Sequence, residues 1–89
     1  MMYFVYILYS TELNQYYIGC SDNPEERLRK HLFNHKGFTS KAKDWFICLT
    51  EAFETKTEAL KRERQLKNWK NKTRLKQLID KSKGLSSDD

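Results

Sequence analysis

Apolar and aromatic residues crowd the first twenty positions of the chain in two runs. Tyr3-Phe4-Val5-Tyr6-Ile7-Leu8-Tyr9 and Tyr16-Tyr17-Ile18-Gly19-Cys20 are rich in aromatic and β-branched side chains, and Ser10-Thr11-Glu12-Leu13-Asn14-Gln15 between them supplies turn formers. The pattern predicts a β-hairpin. Both faces of its first strand are apolar, Val5 and Ile7 on one and Phe4, Tyr6 and Leu8 on the other, as expected of a central strand covered on one side and shielded on the other. If partner numbers across the hairpin sum to an odd value, Tyr6 and Tyr17 stand on the same face, opposite or diagonal.

The period then changes. In Asp22-Asn23-Pro24-Glu25-Glu26, Asn23 can cap a helix, Pro24 takes its first position and Glu26 can reach back as in a capping box. Leu28 and Leu32 define the buried stripe, Arg27, His31 and His35 recur along the neighbouring line, and Gly37 is the expected stop. Trp45-Phe46-Ile47-Cys48-Leu49-Thr50 reads as a third strand that extends toward Phe53. Thr55-Lys56-Thr57-Glu58 has the spacing of a second capping box and opens a helix with Ala59, Leu60, Leu66 and Trp69 inward. Asn68 to Asn71 interrupts the pattern, and Asn71 can cap a last helix with Leu75, Leu78 and Ile79 inward. The order β-β-α-β-α-α, three strands with helices on them, predicts an α+β domain over residues 1–83, followed by a polar tail over 84–89.

Size and composition narrow the function. The chain has 89 residues and a mass of 10.7 kDa, enough for one domain that buries about 60–70% of its unfolded surface. Its longest apolar run, Tyr3 to Tyr9, is far short of the ~20 residues of a membrane-spanning helix. That run also lacks the cationic flank and cleavage site of a secretory signal, so a cytoplasmic protein is expected. Cys20 and Cys48 match neither a redox pair nor a zinc pair and read as small apolar strand residues.

The net charge of +5 is uneven: residues 1–55 carry −1 and residues 56–89 carry +6. A basic third on a near-neutral domain is the electrostatic footprint of a polyanion, with nucleic acid favoured over membrane because the aromatics do not gather on one helical face. Lys61, Arg64, Lys67, Lys70, Lys72, Arg74 and Lys76, with Lys41 from the preceding loop, are the expected phosphate contacts.

Three features carry chemistry. Helical spacing places Glu63 on or beside an apolar stripe, where an acid needs either an ion-pair partner such as Arg62, Lys67 or a distant arginine, or a hard cation such as Mg²⁺. Arg27 and His31, one turn apart, can clamp a phosphate and exchange a proton, or sit as a solvated edge paired to Glu25 or Glu26. Tyr6 and Tyr17 bring two phenols to one site, or pack in the core with their hydroxyls at its rim.

Val5-Tyr6, then Tyr17-Ile18-Gly19, then Arg27-Leu28 with His31, then a helical Glu63 after a third strand, together resemble the GIY-YIG nuclease superfamily. The chain is more closely similar to its small stand-alone bacterial members, whose first motif reads as Val5-Tyr6-Ile7-Leu8 does. The resemblance spans roughly residues 3–80 and implies a three-stranded antiparallel sheet flanked by helices and a metal-dependent endonuclease of DNA. Structure-specific cutting and a role in repair are the tasks it suggests. It implies Tyr6, Tyr17, Arg27, His31 and Glu63 as catalytic residues, Glu63 as the ligand of one Mg²⁺ or Mn²⁺ ion, and Gly19 as a structural residue of the motif. Arg27 would stabilise charge on the phosphoryl oxygens, with Tyr17, Tyr6 acting through it, or His31 as the base. Two departures stand out: Phe4 occupies the place of the first motif's glycine, and the polar residue that some members carry after the glutamate is matched only by Asn68 or Asn71. The other expectation the residues allow is a non-catalytic nucleic-acid-binding module. In either case a monomer that meets nucleic acid, with DNA favoured over RNA and room for a partner protein, is expected.

Overall fold

The computed structural model describes residues 2–33 and 42–82, except for the side chains of His31 and Phe33. Along the chain run β1 (Tyr3–Ser10), β2 (Gln15–Ser21), α1 (Pro24–Phe33), β3 (Phe46–Phe53), α2 (Lys56–Trp69) and α3 (Lys72–Ser82). The strands form one antiparallel sheet of order β2-β1-β3, so the expected α+β architecture is present with β1 at its centre.

The apolar character of both faces of β1 has the expected consequence. Val5, Tyr6, Ile7 and Leu8 are all at most 1% exposed. Val5 and Ile7 join Ile18, Leu49, Ala59, Leu66, Leu75 and Ile79 under α2 and α3. Tyr6 and Leu8 face the other way, into a smaller core with Ala42 and Trp45, against which Leu28 and Leu32 of α1 pack. Trp45 therefore closes a core just before β3 begins, where a strand residue was expected. Leu60 also departs from expectation. It lies beside the buried Ala59 but is turned to solvent, because the stripe of α2 runs through Ala59 and Leu66.

Local devices set the joints. In α1, Asn23 accepts the Glu26 N–H, while its own N–H donates to the Ser21 hydroxyl, so Ser21 takes the part expected of the Glu26 carboxylate. Thr55 caps α2 by accepting from the Glu58 N–H, but the Glu58 carboxylate accepts from the Thr55 hydroxyl and not from its backbone N–H, so only half of the expected capping box forms. Lys70 ends α2 in the left-handed region at φ 49°, and Asn71 caps α3 by accepting from the Arg74 N–H. The stop expected at Gly37 lies outside the described residues.

β1 and β3 slip out of register between Ile7 and Leu8, which pair with Leu49 and Ile47 and leave Cys48 as the extra residue. Its thiol donates to the Ile7 carbonyl. Neither cysteine is in a disulfide, and both are partly buried on strands. At the hairpin end the buried Ser10 hydroxyl donates to Asp44 Oδ1 at 2.6 Å and accepts from the Leu13 N–H, while the Glu12 N–H donates to Asp44 Oδ2. Asp44 thereby ties the segment that delivers Ala42 and Trp45 to the hairpin turn.

Arg62 fixes the rotation of α2. Its guanidinium forks onto Glu51 of β3, Nε to Oε1 at 2.8 Å and Nη2 to Oε2 at 3.2 Å, and Nη1 donates to Gln65. Arg74 of α3 stacks 4.1 Å above the Trp69 ring and locks the two helices at their joint.

Candidate active site

The site starts from strand register. Tyr6 pairs with Gly19 and Leu8 with Tyr17, so Tyr6 and Tyr17 occupy one face as diagonal neighbours, as an odd-numbered register requires. The Tyr6 phenol lies across Gly19. A Cβ there would stand 2.5 Å from the ring Cζ and closer still to the hydroxyl, so only glycine leaves this space. Phe4, at the place of the first motif's glycine, is an ordinary strand residue paired to Ser21 and Ala52, and no close approach depends on it.

Arg27 follows the cap of α1, its N–H making the first helical bond to the Asn23 carbonyl at 3.0 Å. From there the guanidinium comes within hydrogen-bonding reach of the Tyr6 hydroxyl. Glu63 arrives from the other layer. It lies on α2, beside Cys20, whose thiol is pushed up by burial and then by the Glu63 charge. The carboxylate is still felt at the Tyr6 phenol, as the smallest of the influences on it.

Tyr6 registers the whole arrangement. Its pKa is pushed up to about 12, first by burial and then by Tyr17, with Arg27 pulling it down and Glu63 adding a smaller push upward. At neutral pH the phenol is therefore a hydrogen-bond donor. Residues from β1, β2, α1 and α2, separated by up to 57 positions, act on one hydroxyl.

Of the other expected site residues, His31 lies on α1 one turn after Arg27 with its side chain outside the described part, and Lys41 lies outside the described residues. Asn68 is exposed on α2, and Asn71 is engaged as the α3 cap. Lys61, Arg64, Lys70 and Lys76 are exposed; Lys72 donates to the Asn14 carbonyl and Arg74 covers Trp69. Glu63 has the nearby partner that its spacing allowed: Lys67 Nζ meets Oε2 at 2.9 Å, while Arg62 goes to Glu51. The Cys20 neighbour was not anticipated; its pairing with Val5, which faces α2, is the signal that places it there.

A lone carboxylate 17% exposed, already next to one cation, offers hard oxygen donors with room for water, which suits Mg²⁺ or Mn²⁺. Among the described residues no cluster of three or more His, Cys, Asp or Glu side chains competes for an ion. A guanidinium, a second phenol and a carboxylate all bear on the one Tyr6 phenol. The chain belongs to the GIY-YIG family: the family model described as the GIY-YIG catalytic domain matches residues 2–77. No curated protein and no solved structure matches the chain. Membership brings nuclease-type function in general, a nucleic-acid substrate and a family that generally uses divalent metal ions. Among the described residues, no helix is long and apolar enough to cross a membrane.

Proposed function

We propose that this protein is a metal-dependent endonuclease hydrolysing phosphodiester bonds of DNA, with one divalent ion on Glu63 and with Tyr6, Tyr17, Arg27 and His31 completing the site. The observation that carries this reading is the register that lays Tyr6 across Gly19 and diagonal to Tyr17, beside Arg27, in a chain of the GIY-YIG family.

Arg27, exposed on one side and reaching Tyr6 on the other, holds a non-bridging phosphoryl oxygen and stabilises the charge that builds there as water attacks phosphorus. Tyr6 keeps its proton and donates to the attacking water or a phosphoryl oxygen, because burial disfavours its phenolate. Tyr17, in its phenolate form, or His31, which α1 carries one turn after Arg27, accepts the proton from water. When bound, the ion supplies positive charge to the leaving oxygen. Lys67, 53% exposed, swings into solvent to release Glu63 and joins Lys61, Arg64 and Lys70 on the DNA backbone.

The Glu63–Lys67 pair favours a second reading, a non-catalytic nucleic-acid-binding module in which the carboxylate is already neutralised. Nicking of supercoiled plasmid and of branched DNA in Mg²⁺, Mn²⁺ or EDTA separates the two. The nuclease reading expects cleavage that requires metal and falls by orders of magnitude in Glu63→Gln. DNA binding with no strand cut in any metal would establish the module instead.

A further inference from the structure

A second polar–aromatic site lies on the opposite layer, at the end of the hairpin. Tyr9 packs on Tyr16 with ring centroids 4.8 Å apart and planes tilted by 46°, and meets Phe46 edge-on at 6.0 Å. Phe46 is 44% exposed, and of the three large apolar residues exposed among the described residues it is the one in an aromatic cluster. These rings wall a groove of about 390 Å³ whose other side is α3, with Lys72, Lys76 and Asp80. That volume falls in the roughly 300–1,000 Å³ range of small-molecule sites.

The cations have a definite place in it. Lys72 Nζ is held at the hairpin turn by the Asn14 carbonyl at 2.6 Å and keeps N–H donors to spare. Lys76, one turn along α3, has no ion pair among the described residues although Asp80 follows it by four positions. One end of the groove is thus cationic, its wall is aromatic, and Asp80 beside Tyr16 provides an acceptor deeper along α3.

We propose that this groove holds an unpaired nucleotide of a single-stranded nucleic-acid segment, its base against Phe46 and Tyr9, its phosphate on Lys72 and Lys76, and a base N–H, in thymine the N3–H, toward Asp80. A base inside a duplex has both faces covered by its neighbours, whereas an unpaired base can stack on a protein ring. The groove therefore separates single-stranded flanks from blunt duplex, a distinction that the Tyr6 site, built to hold a phosphate, does not make. The inference rests on the nucleic-acid reading above and adds to it a substrate feature.

Fluorescence anisotropy in EDTA, where no cleavage intervenes, tests this with a labelled blunt duplex, the same duplex carrying a dT overhang, and dT₁₀. Wild type is expected to favour the overhang over the blunt end. Phe46→Leu, which keeps apolar bulk but removes the ring, should erase that preference with a loss on the order of tenfold on dT₁₀, and Phe46→Tyr should keep it. Lys76→Ala, on an exposed helix surface, should lower the salt slope for dT₁₀ by about 0.7. Equal binding of all three ligands by wild type and Phe46→Leu overturns the groove while leaving the nuclease reading intact. No binding of any of them overturns both. A third arm uses the mononucleotide dTMP, followed by amide chemical shifts of Lys72 to Asp80: shifts lost in Phe46→Leu with dT₁₀ affinity unmoved would make this a free-nucleotide site and overturn the substrate role.

Discussion

The phenol of Tyr6 fills the space that a Cβ of Gly19 would need. This one pairing brings a residue of the central strand to the open edge of the sheet, where α1 and α2 can both address it. Gly19→Ala should therefore cost about 1–3 kcal/mol through overpacking and abolish cleavage, because the phenol has to leave its place. Tyr6→Phe keeps the ring and should lose only about 0.5–1.5 kcal/mol along with its share of turnover. Urea denaturation and plasmid nicking on the two variants check this; a Gly19→Ala protein as stable and active as wild type would show that the contact positions nothing.

Arg27→Ala should lower the single-turnover rate by more than it weakens DNA binding, since charge on the phosphoryl oxygens peaks in the transition state. Arg27→Lys should recover only part of the rate, as an ammonium lacks the fork that can meet Tyr6 and an oxygen together. Equal losses in rate and affinity would reduce Arg27 to an ordinary phosphate anchor.

Glu63→Gln discriminates by stability as well as activity. Its partner Lys67 is 53% exposed, so losing the pair should cost no more than about 1 kcal/mol in the absence of metal. Wild type should instead gain thermal stability on adding Mg²⁺, and Glu63→Gln should not. Lys67→Ala should keep that gain or enlarge it. A metal-free loss of about 3–5 kcal/mol in Glu63→Gln, the signature of a broken buried pair, would assign Glu63 to structure.

Asp44 makes the fold sensitive to acid. The Ser10 hydroxyl, then the Glu12 N–H, hold its carboxyl below the usual range, so the folded state binds a proton less readily than the unfolded chain. Its contribution is complete above the unfolded value of about 3.9 and is lost as pH falls through the lower folded value. Urea midpoints measured from pH 6 down to pH 2 should drop less steeply in Asp44→Asn than in wild type, with the variant weaker at neutral pH. Parallel curves would show that the three bonds at this joint do not couple to stability.

Binding to duplex DNA without metal should weaken steeply with salt. If roughly four to six phosphates are contacted by the basic residues of α2 and α3, the log–log slope should lie near −3.5 to −5.5. Replacing Arg64, exposed and without an ion pair among the described residues, should make it shallower by about 0.9. A flat dependence would remove nucleic acid as the substrate.

What the sequence determined by itself is local or periodic. Alternation along Tyr3–Ser10 with apolar residues on both faces required a central strand, the Asn23-Pro24, Thr55-x-x-Glu58 and Asn71 signals set three helix starts, and the spacing of Tyr6, Tyr17, Gly19, Arg27 and Glu63 was enough to bring out the family. Which groups meet was decided only by tertiary structure. The bulge at Cys48 comes from strand pairing between residues some forty positions apart, and it carries Phe46 into contact with Tyr9. Glu63 had three available cations, and the fork between Arg62 and Glu51 left Lys67 as its partner. Leu60 reads as apolar as Leu66, yet only the rotation of α2 against the sheet could choose which of them is buried. Pattern reports the period of each element, whereas the phase between elements is set by side chains that pack only once the layers are together.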